Sequence, residues 1–343
     1  MTKPNYQPWD IDVSAFPRDG KIEGRLKFLL GFAVLAPSGH NSQPWSFSIE
    51  ADTISIWVNN ERALIESDPT RRQLLIGMGC ALENLLIAAD YYGFKPTVHY
   101  FPDSNNRDFI AKVVFEKSNH QKDDSRHLIF SIPRRRTNRN KYQEKLPAHD
   151  FLKKIEETAK ENLKAFVVTD EIKKQALAEL ALLSQIEAMD SDSFREELSH
   201  YIKSSFTKHK TGMPGFTLGI PAPVSLIASR LIKKVNLSRQ TRKKDERLLK
   251  EYTPAFVVVS APSDYDVDRI KAGQLFERIW LMAEQEGLSC APLAGPVQTG
   301  DYYKHVQSII GTNDRPLVFF RLGYCSKTPG HSPRLSVEEV MNH

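Results

Sequence analysis

The sequence predicts an α+β fold in which one helix-and-strand unit is used twice. Three observations carry this. Short alternating strands are interleaved with amphipathic helices. Two long apolar helices share one glycine-bracketed frame, and a polar stretch lies between the halves.

The 343 residues are enough for two domains or one large compound one. At 41% hydrophobic and 26% charged, the composition is that of an ordinary water-facing protein with a sizeable core. The net charge of +5 is mild. Cys80, Cys290 and Cys325 are sparse, odd in number and without a CxxC pair. That pattern argues for buried core thiols in a reducing compartment, against a disulfide framework or a zinc site. The first twelve residues are polar and show no secretory signal. Leu74 to Ala89 is the most apolar stretch, but Glu83 and Asn84 interrupt it and it is short for a membrane span. The expectation is a cytoplasmic, soluble protein without a membrane partner.

The elements follow in order. Lys21 to Ala36 reads as a helix that stops before Pro37, since the residue preceding proline is pushed out of the α region. Trp45 to Ile49 and Thr53 to Val58 alternate as two strands around a turn at Glu50-Ala51-Asp52. Gly79 to Tyr92 is an amphipathic helix with Gly93 as its C-cap. Thr97 to Phe101 and Phe109 to Glu116 read as strands. The polar run Lys117 to His127 is the expected linker, dividing a first repeat, 1–122, from a second, 123–343. Helices are expected at Asp150 to Ala159 and Glu171 to Met189, with a strand at Ala165 to Val168 between them. Lys208 to Val235 is irregular, Lys243 to Lys250 a short helix and Ala255 to Ala261 a buried strand. Gly273 to Glu286 is a second amphipathic helix and Leu317 to Leu322 a strand.

Laid over each other, GCALENLLIAADYYG from Gly79 and GQLFERIWLMAEQEG from Gly273 align Glu83 with Glu277 and Ala89 with Ala283. A proline-containing turn and later a strand, at Val113 and at Val318, follow each helix. Recurrence of the whole series favours duplication over chance likeness of two amphipathic helices.

No nucleophile elbow, P-loop, dinucleotide glycine fingerprint or HExxH motif occurs, so no catalytic side chain and no metal ligand is named. A cofactor would then do the chemistry. Pro37 to Trp45 joins a helix to a strand and clusters Ser38, His40, Asn41 and Gln43. This is either a capped turn or a close-approach loop offering donors and acceptors to a ligand. Arg134, Arg135, Arg136 and Arg139 crowd around Thr137. Such a run is a solvated basic loop, a phosphate grip or a nucleic-acid patch. No recognised nucleic-acid module accompanies it. Glu286 to Leu293 is a tight helix-to-strand passage, and Ser332-Pro333-Arg334 adds one more arginine near the end.

Taken together, these residues resemble the nitroreductase family of FMN flavoproteins, and within it the double-length, Acg-like branch. The APSGHNSQPW segment matches that family's PS-x-x-N-x-QPW pattern, and Arg135, Thr137 and Arg139 match its R-x-[ST]-x-[RK] phosphate motif. The order of the two motifs is inverted relative to ordinary members. The resemblance therefore implies a nitroreductase-like sandwich in which two tandem repeats form an intramolecular pseudo-dimer, alone or paired again as a homodimer. It implies one FMN per chain, because the second half lacks the PSxxNxQPW turn. Ser38, His40, Asn41 and Gln43 would face the ring and ribityl side, with Leu293 along the ring. Arg135, Arg136, Thr137, Arg139 and Arg334 would hold the phosphate. The implied activity is hydride transfer from NAD(P)H through FMN to a small electron-poor acceptor, with no nucleic acid involved. The Gly- and Pro-rich segment from Phe206 to Lys244 is a candidate lid. A tight lid would instead suit an FMN-sequestering protein with little turnover.

Overall fold

The computed structural model describes residues 3–118 and 128–342. Most of the expected linker, and the boundary expected at 122–123, lie outside the described residues.

The first half contains α1 (Ile22–Ala33), β1 (Trp45–Glu50), β2 (Thr53–Val58), α2 (Arg72–Tyr91), β3 (Phe94–Tyr100) and β4 (Phe109–Lys117). Its antiparallel sheet has the order β1-β2-β4-β3. The second half contains α3 (His149–Thr158), β5 (Lys164–Val168), α4 (Glu171–Asp190), α5 (Asp192–Tyr201), the short strands β6 (Ile202–Lys203) and β7 (Met213–Pro214), α6 (Ala228–Lys234) and α7 (Ser238–Lys250). After these come β8 (Ala255–Ala261), α8 (Asp266–Gln285), β9 (Leu288–Pro292), α9 (Tyr302–Ile310) and β10 (Arg315–Tyr324). Its main sheet runs β5-β8-β10-β9, also antiparallel. In each half the long apolar helix connects the second strand to the third, and the sheet order is the same. Both sheets therefore repeat one winding.

The expected strands are all present. Pro96 sits in β3, an edge strand, where its missing N–H is tolerated. The two long helices begin earlier than expected, at Arg72 and Asp266. The glycines taken as their starts lie inside them. Glycine lowers helix propensity, yet here it serves packing. A Cβ on Gly79 would lie 2.0 Å from the Ile270 carbonyl oxygen, and one on Gly273 would lie 2.1 Å from that of Ile76. The same sequence offset relates Gly79 to Gly273 and Ile76 to Ile270, so the contact is reciprocal, as across a two-fold axis. By length and composition α2 could cross a membrane, but 83% of its most apolar window is buried within the fold. One continuous apolar core runs through both halves, from Leu29, Trp45 and Leu85 to Ile279, Trp280 and Phe320. A smaller core lies on the far face of the second sheet, where Leu177, Leu249, Phe256 and Val306 meet.

Helices α5 and α9 occupy stretches to which the sequence assigned no element, α6 lies within the stretch expected to be irregular, and α1 ends at Ala33, three residues short of Ala36. α5 carries few apolar residues and is fixed by contact with α6, which local periodicity cannot show. Cys80 and Cys290 are buried thiols as expected, whereas Cys325 is partly exposed.

Gly79→Ala should lower unfolding free energy by about 2–4 kcal/mol, because the intruding methyl must push two helix backbones apart. Urea denaturation measures this; an unchanged midpoint would show that the helices can separate freely.

Candidate functional site

The turn after α1 is shaped by left-handed backbone. His40, Asn41 and Gln43 have φ of 50°, 57° and 54°. Three such non-glycine residues within four positions store strain that surrounding contacts must hold. Gln43 N–H donates to Ser38 Oγ at 2.9 Å, closing the turn, and Arg62 grips the Gln43 and Trp45 carbonyls at 2.8 and 2.7 Å.

Two segments remote in sequence converge on this turn. Arg334 donates to Asn41 Oδ1 at 2.6 Å and to the Leu35 and Ala36 carbonyls at 3.2 and 3.1 Å. Arg135 donates to the Leu35 carbonyl at 2.7 Å. These carbonyls follow the end of α1, where unsatisfied oxygens and the helix dipole favour cations. Arg135 also lies 3.0 Å from Glu277 of α8, both side chains almost fully buried, and over the Trp280 ring at 4.5 Å. Arg334 stacks over Trp9, whose other neighbour is His331 at 4.0 Å.

The charges in this cluster do not balance. Burial pushes Glu277 up to about 7 against the pull of Arg135. Arg334 is pushed well below the usual arginine value, by burial first and Arg135 second. His331 falls to about 3 through burial and the nearby Arg136, Arg334 and Arg135. Arg136 Nε, Arg334 Nε and His331 Nε2 are buried with no hydrogen-bond partner among the described residues. Buried donors without partners, and cations in excess of carboxylate, are the environment a bound anion would complete.

The other site candidates are placed unevenly. Thr137 and Asn138 run beside Cys290 of β9, with Asn138 N–H donating to the Cys290 carbonyl at 3.0 Å, so the arginine segment lies against the helix-to-strand passage. Leu293 continues that passage, its N–H bonded to the Phe319 carbonyl at 2.9 Å. Arg139 lies deep enough for desolvation to lower its guanidinium, yet keeps much of its surface accessible, as a side chain facing a cleft does. His40 is half-buried, 3.1 Å from Ser67 Oγ, and its imidazole falls to about 4, chiefly by desolvation.

The candidate lid closes over this turn. Asn41 Nδ2 donates to the Gly212 carbonyl at 2.9 Å and to that of Pro333 at 3.0 Å, while Gly212 N–H returns a bond to the Asn41 carbonyl at 3.1 Å. Gln43 Nε2 donates to the Lys210 carbonyl at 2.7 Å and its Oε1 accepts from Leu335 N–H at 2.9 Å. Arg139 donates to the Thr217 carbonyl at 3.2 Å. Both amide side chains are thus committed to the lid and the C-terminal segment. The lid has structure of its own: β6, β7 and α6 pack around Ile202, Met213 and Ala228. Helix α5, which packs against α6, is tied to the first half by Glu197, which accepts from the backbone N–H groups of Ile65, Glu66 and Ser67 at 2.7, 3.1 and 2.7 Å.

Sequence reasoning did not single out Glu277, Trp9 or His331 for the site. A signal for Glu277 was present, since an acid recurring at one position of two apolar helices needs a buried partner.

No family model matches the chain. Its relatives align nearly end to end. "Putative NAD(P)H nitroreductase acg" of Mycobacterium tuberculosis is 25% identical over 328 residues, 92% of this chain and 95% of the relative. "Probable NAD(P)H nitroreductase PigM" of Serratia sp. is 25% identical over 348 residues, covering 93% and 94%. Over nearly its whole length the chain is thus similar to proteins named as NAD(P)H nitroreductases. Among solved structures, the FMN-dependent nitroreductase NfnB from Mycobacterium smegmatis in complex with NADPH covers 64% of this chain and 97% of its own, at 17% identity and a TM-score of 0.41.

Two outcomes are expected. Glu277→Ala should cost about 3–5 kcal/mol of stability, since it strands Arg135 in the core; a loss near zero in urea denaturation would mean that Arg135 needs no partner. His40 binds a proton below about 6.5 when unfolded but only below about 4 when folded. The unfolded state therefore holds more protons in that window, and stability falls as pH drops through it. His40→Gln should flatten the dependence; equal slopes from pH 6.5 to 4.5 in both proteins would remove His40 as a source.

Proposed function

We propose that the chain is an FMN-dependent NAD(P)H oxidoreductase of nitroreductase type, whose two halves stand in for two subunits as an intramolecular pseudo-dimer with one lidded flavin site. The observation that carries this reading is the meeting of the buried Arg135 and Arg334 at the carboxylate Glu277, with the half-buried Arg136 near the same His331 and partnerless nitrogens on Arg136, Arg334 and His331. A phosphate monoester carries about two negative charges at neutral pH, and arginines grip it with charge-assisted hydrogen bonds.

The residues fit the group with one division of labour. Arg136, Arg139, Thr137 and the partnerless edge of Arg334 would hold the phosphate. Arg135, engaged with Glu277 and the Leu35 carbonyl, would fix the segment that presents them. Ser38 and His40 remain to face the ring side, while Asn41 and Gln43 carry the lid. Leu293 and the β9 passage would lie along the ring. Bound FMN would supply hydride chemistry, accepting from NAD(P)H and delivering to an electron-poor acceptor such as a nitro compound or a quinone. The protein's part is to orient, to hold hydrogen bonds and to control water and substrate entry through the lid. With Asn41 bonded to Gly212 on both its side chain and its backbone, the acceptor must wait for the lid or fit beneath it.

The deciding measurement is the visible spectrum of the purified chain before and after anaerobic NADPH or NADH. Flavin bands that vanish within seconds support the oxidoreductase. Bound flavin that reduces only over many minutes supports a flavin store, and a colourless chain that refuses added FMN overturns both. Arg139→Ala should weaken FMN by about 2–5 kcal/mol; full occupancy at low micromolar FMN would remove Arg139 from the phosphate site.

A further inference from the structure

A cavity of about 1030 Å³ opens in the described residues at the counterpart of the candidate site. The correspondence follows from the repeated winding. The candidate site uses the turn before β1, Leu293 at the end of β9 and Glu277 of α8. The cavity is lined by Lys160 and Leu163 from the turn before β5, by Tyr100 at the end of β3, and by Glu83 of α2. Glu83 and Glu277 are related by the offset that relates Gly79 to Gly273.

The two places differ in how the central acid is neutralised. Glu277 takes Arg135 from a remote segment, whereas Glu83 takes Arg278 from the opposing helix at 2.6 Å. Position 278 corresponds to Asn84 in the first half, so the two halves have diverged here. A polar chain follows along the wall. Tyr100 Oη donates to Gln274 Oε1 at 2.8 Å, and Gln274 Nε2 to Glu83 Oε2 at 3.3 Å. Leu128, Phe130, Leu275 and Met282 give the cavity an apolar side. Its cations outnumber its acids: Arg134, Lys154, Lys160, Lys271 and Arg278 against Glu83, Glu157 and Glu161. Lys154 and Lys160 form no ion pair among the described residues, whereas Lys271 pairs with Glu161. The turn before β5 carries no run of Ser, Asn and Gln, and the arginine-threonine segment serves the other site. A second flavin is therefore not the ligand that these residues suit.

We propose that this cavity is a separate binding site for an aromatic anion, a carboxylate or sulfonate on a flat apolar body. The apolar side receives the body, and Lys154, Lys160 and Lys271 meet the charge. Its place as the counterpart site rests on the pseudo-dimer reading; the binding itself does not.

The test is fluorescence titration of the full chain, saturated with FMN, with 1-anilinonaphthalene-8-sulfonate and with its uncharged analogue N-phenyl-1-naphthylamine. The sulfonate should bind saturably near one per chain and tighter than the neutral amine. Lys271→Glu should weaken it about five-fold, an effect of about 1 kcal/mol. Thr158→Trp, which fills the cavity from α3, should abolish it. Thermal melting checks that both variants fold. Binding unchanged by both variants, equal affinity for the neutral amine, or displacement of FMN by the probe would each overturn the proposal. Flavin absorbance read in the same cuvette separates this outcome from failure of the FMN reading, since a chain without flavin can still bind the probe.

Discussion

The structure depends on the contact between two helix backbones. α2 and α8 approach so closely that neither Gly79 nor Gly273 leaves room for a methyl group at its crossing. Interiors this dense transmit displacement rather than absorb it. Everything that makes the candidate site lies on one side or the other of that crossing. The turn at 36–43 belongs to the first half, the arginine segment and Glu277 to the second, and the C-terminal Arg334 returns to the first. Were the helices a few ångströms farther apart, Arg135 could not reach Glu277 and the Leu35 carbonyl together.

That geometry explains the inverted motif order. On the proposed pseudo-dimer reading, a duplicated chain need not keep both copies of each motif, because one site would take its turn from one half and its arginines from the other. Once covalently joined, each half is free to lose what only the counterpart site required. Arg278 where the first half has Asn84 is one mark of that divergence. The halves keep their winding because winding is set by apolar faces and turns, which every position of the core defends.

Much of this was legible in the sequence. The strands announced themselves by alternation, and the repeat by the matched frames of Gly79 and Gly273. The turn and the arginine segment were visible as polar clusters, and the lid as a long glycine- and proline-rich insertion. Less legible were the helix starts, because glycines placed for close packing look like boundaries. The work of individual side chains was also hidden. Composition alone left Asn41 and Gln43 as either parts of a capped turn or ligand contacts, and it could not show their bonds to the Gly212 and Lys210 carbonyls. Arg135 looks like one of several equal arginines, yet its partner, Glu277, is 142 positions away and no local pattern joins them. Such roles are fixed by long-range pairing, which a one-dimensional reading can suggest only when the partners recur in a repeat.

Over the turn, the candidate lid is held by its main chain. Thr207, His209, Lys210, Gly212 and Thr217 all present carbonyl oxygens to side chains of the body: Asn5, Gln43, Asn41 and Arg139. Over the turn, closure therefore reads the path of the backbone, whereas side chains tie the segment elsewhere: Lys210 to Glu339, Lys233 to Glu196 and Arg242 to Glu179. Sequence drift that spares these partners would leave the bonds over the turn intact, provided that the path is kept. Gly212, with φ of 86°, is the position where that freedom ends.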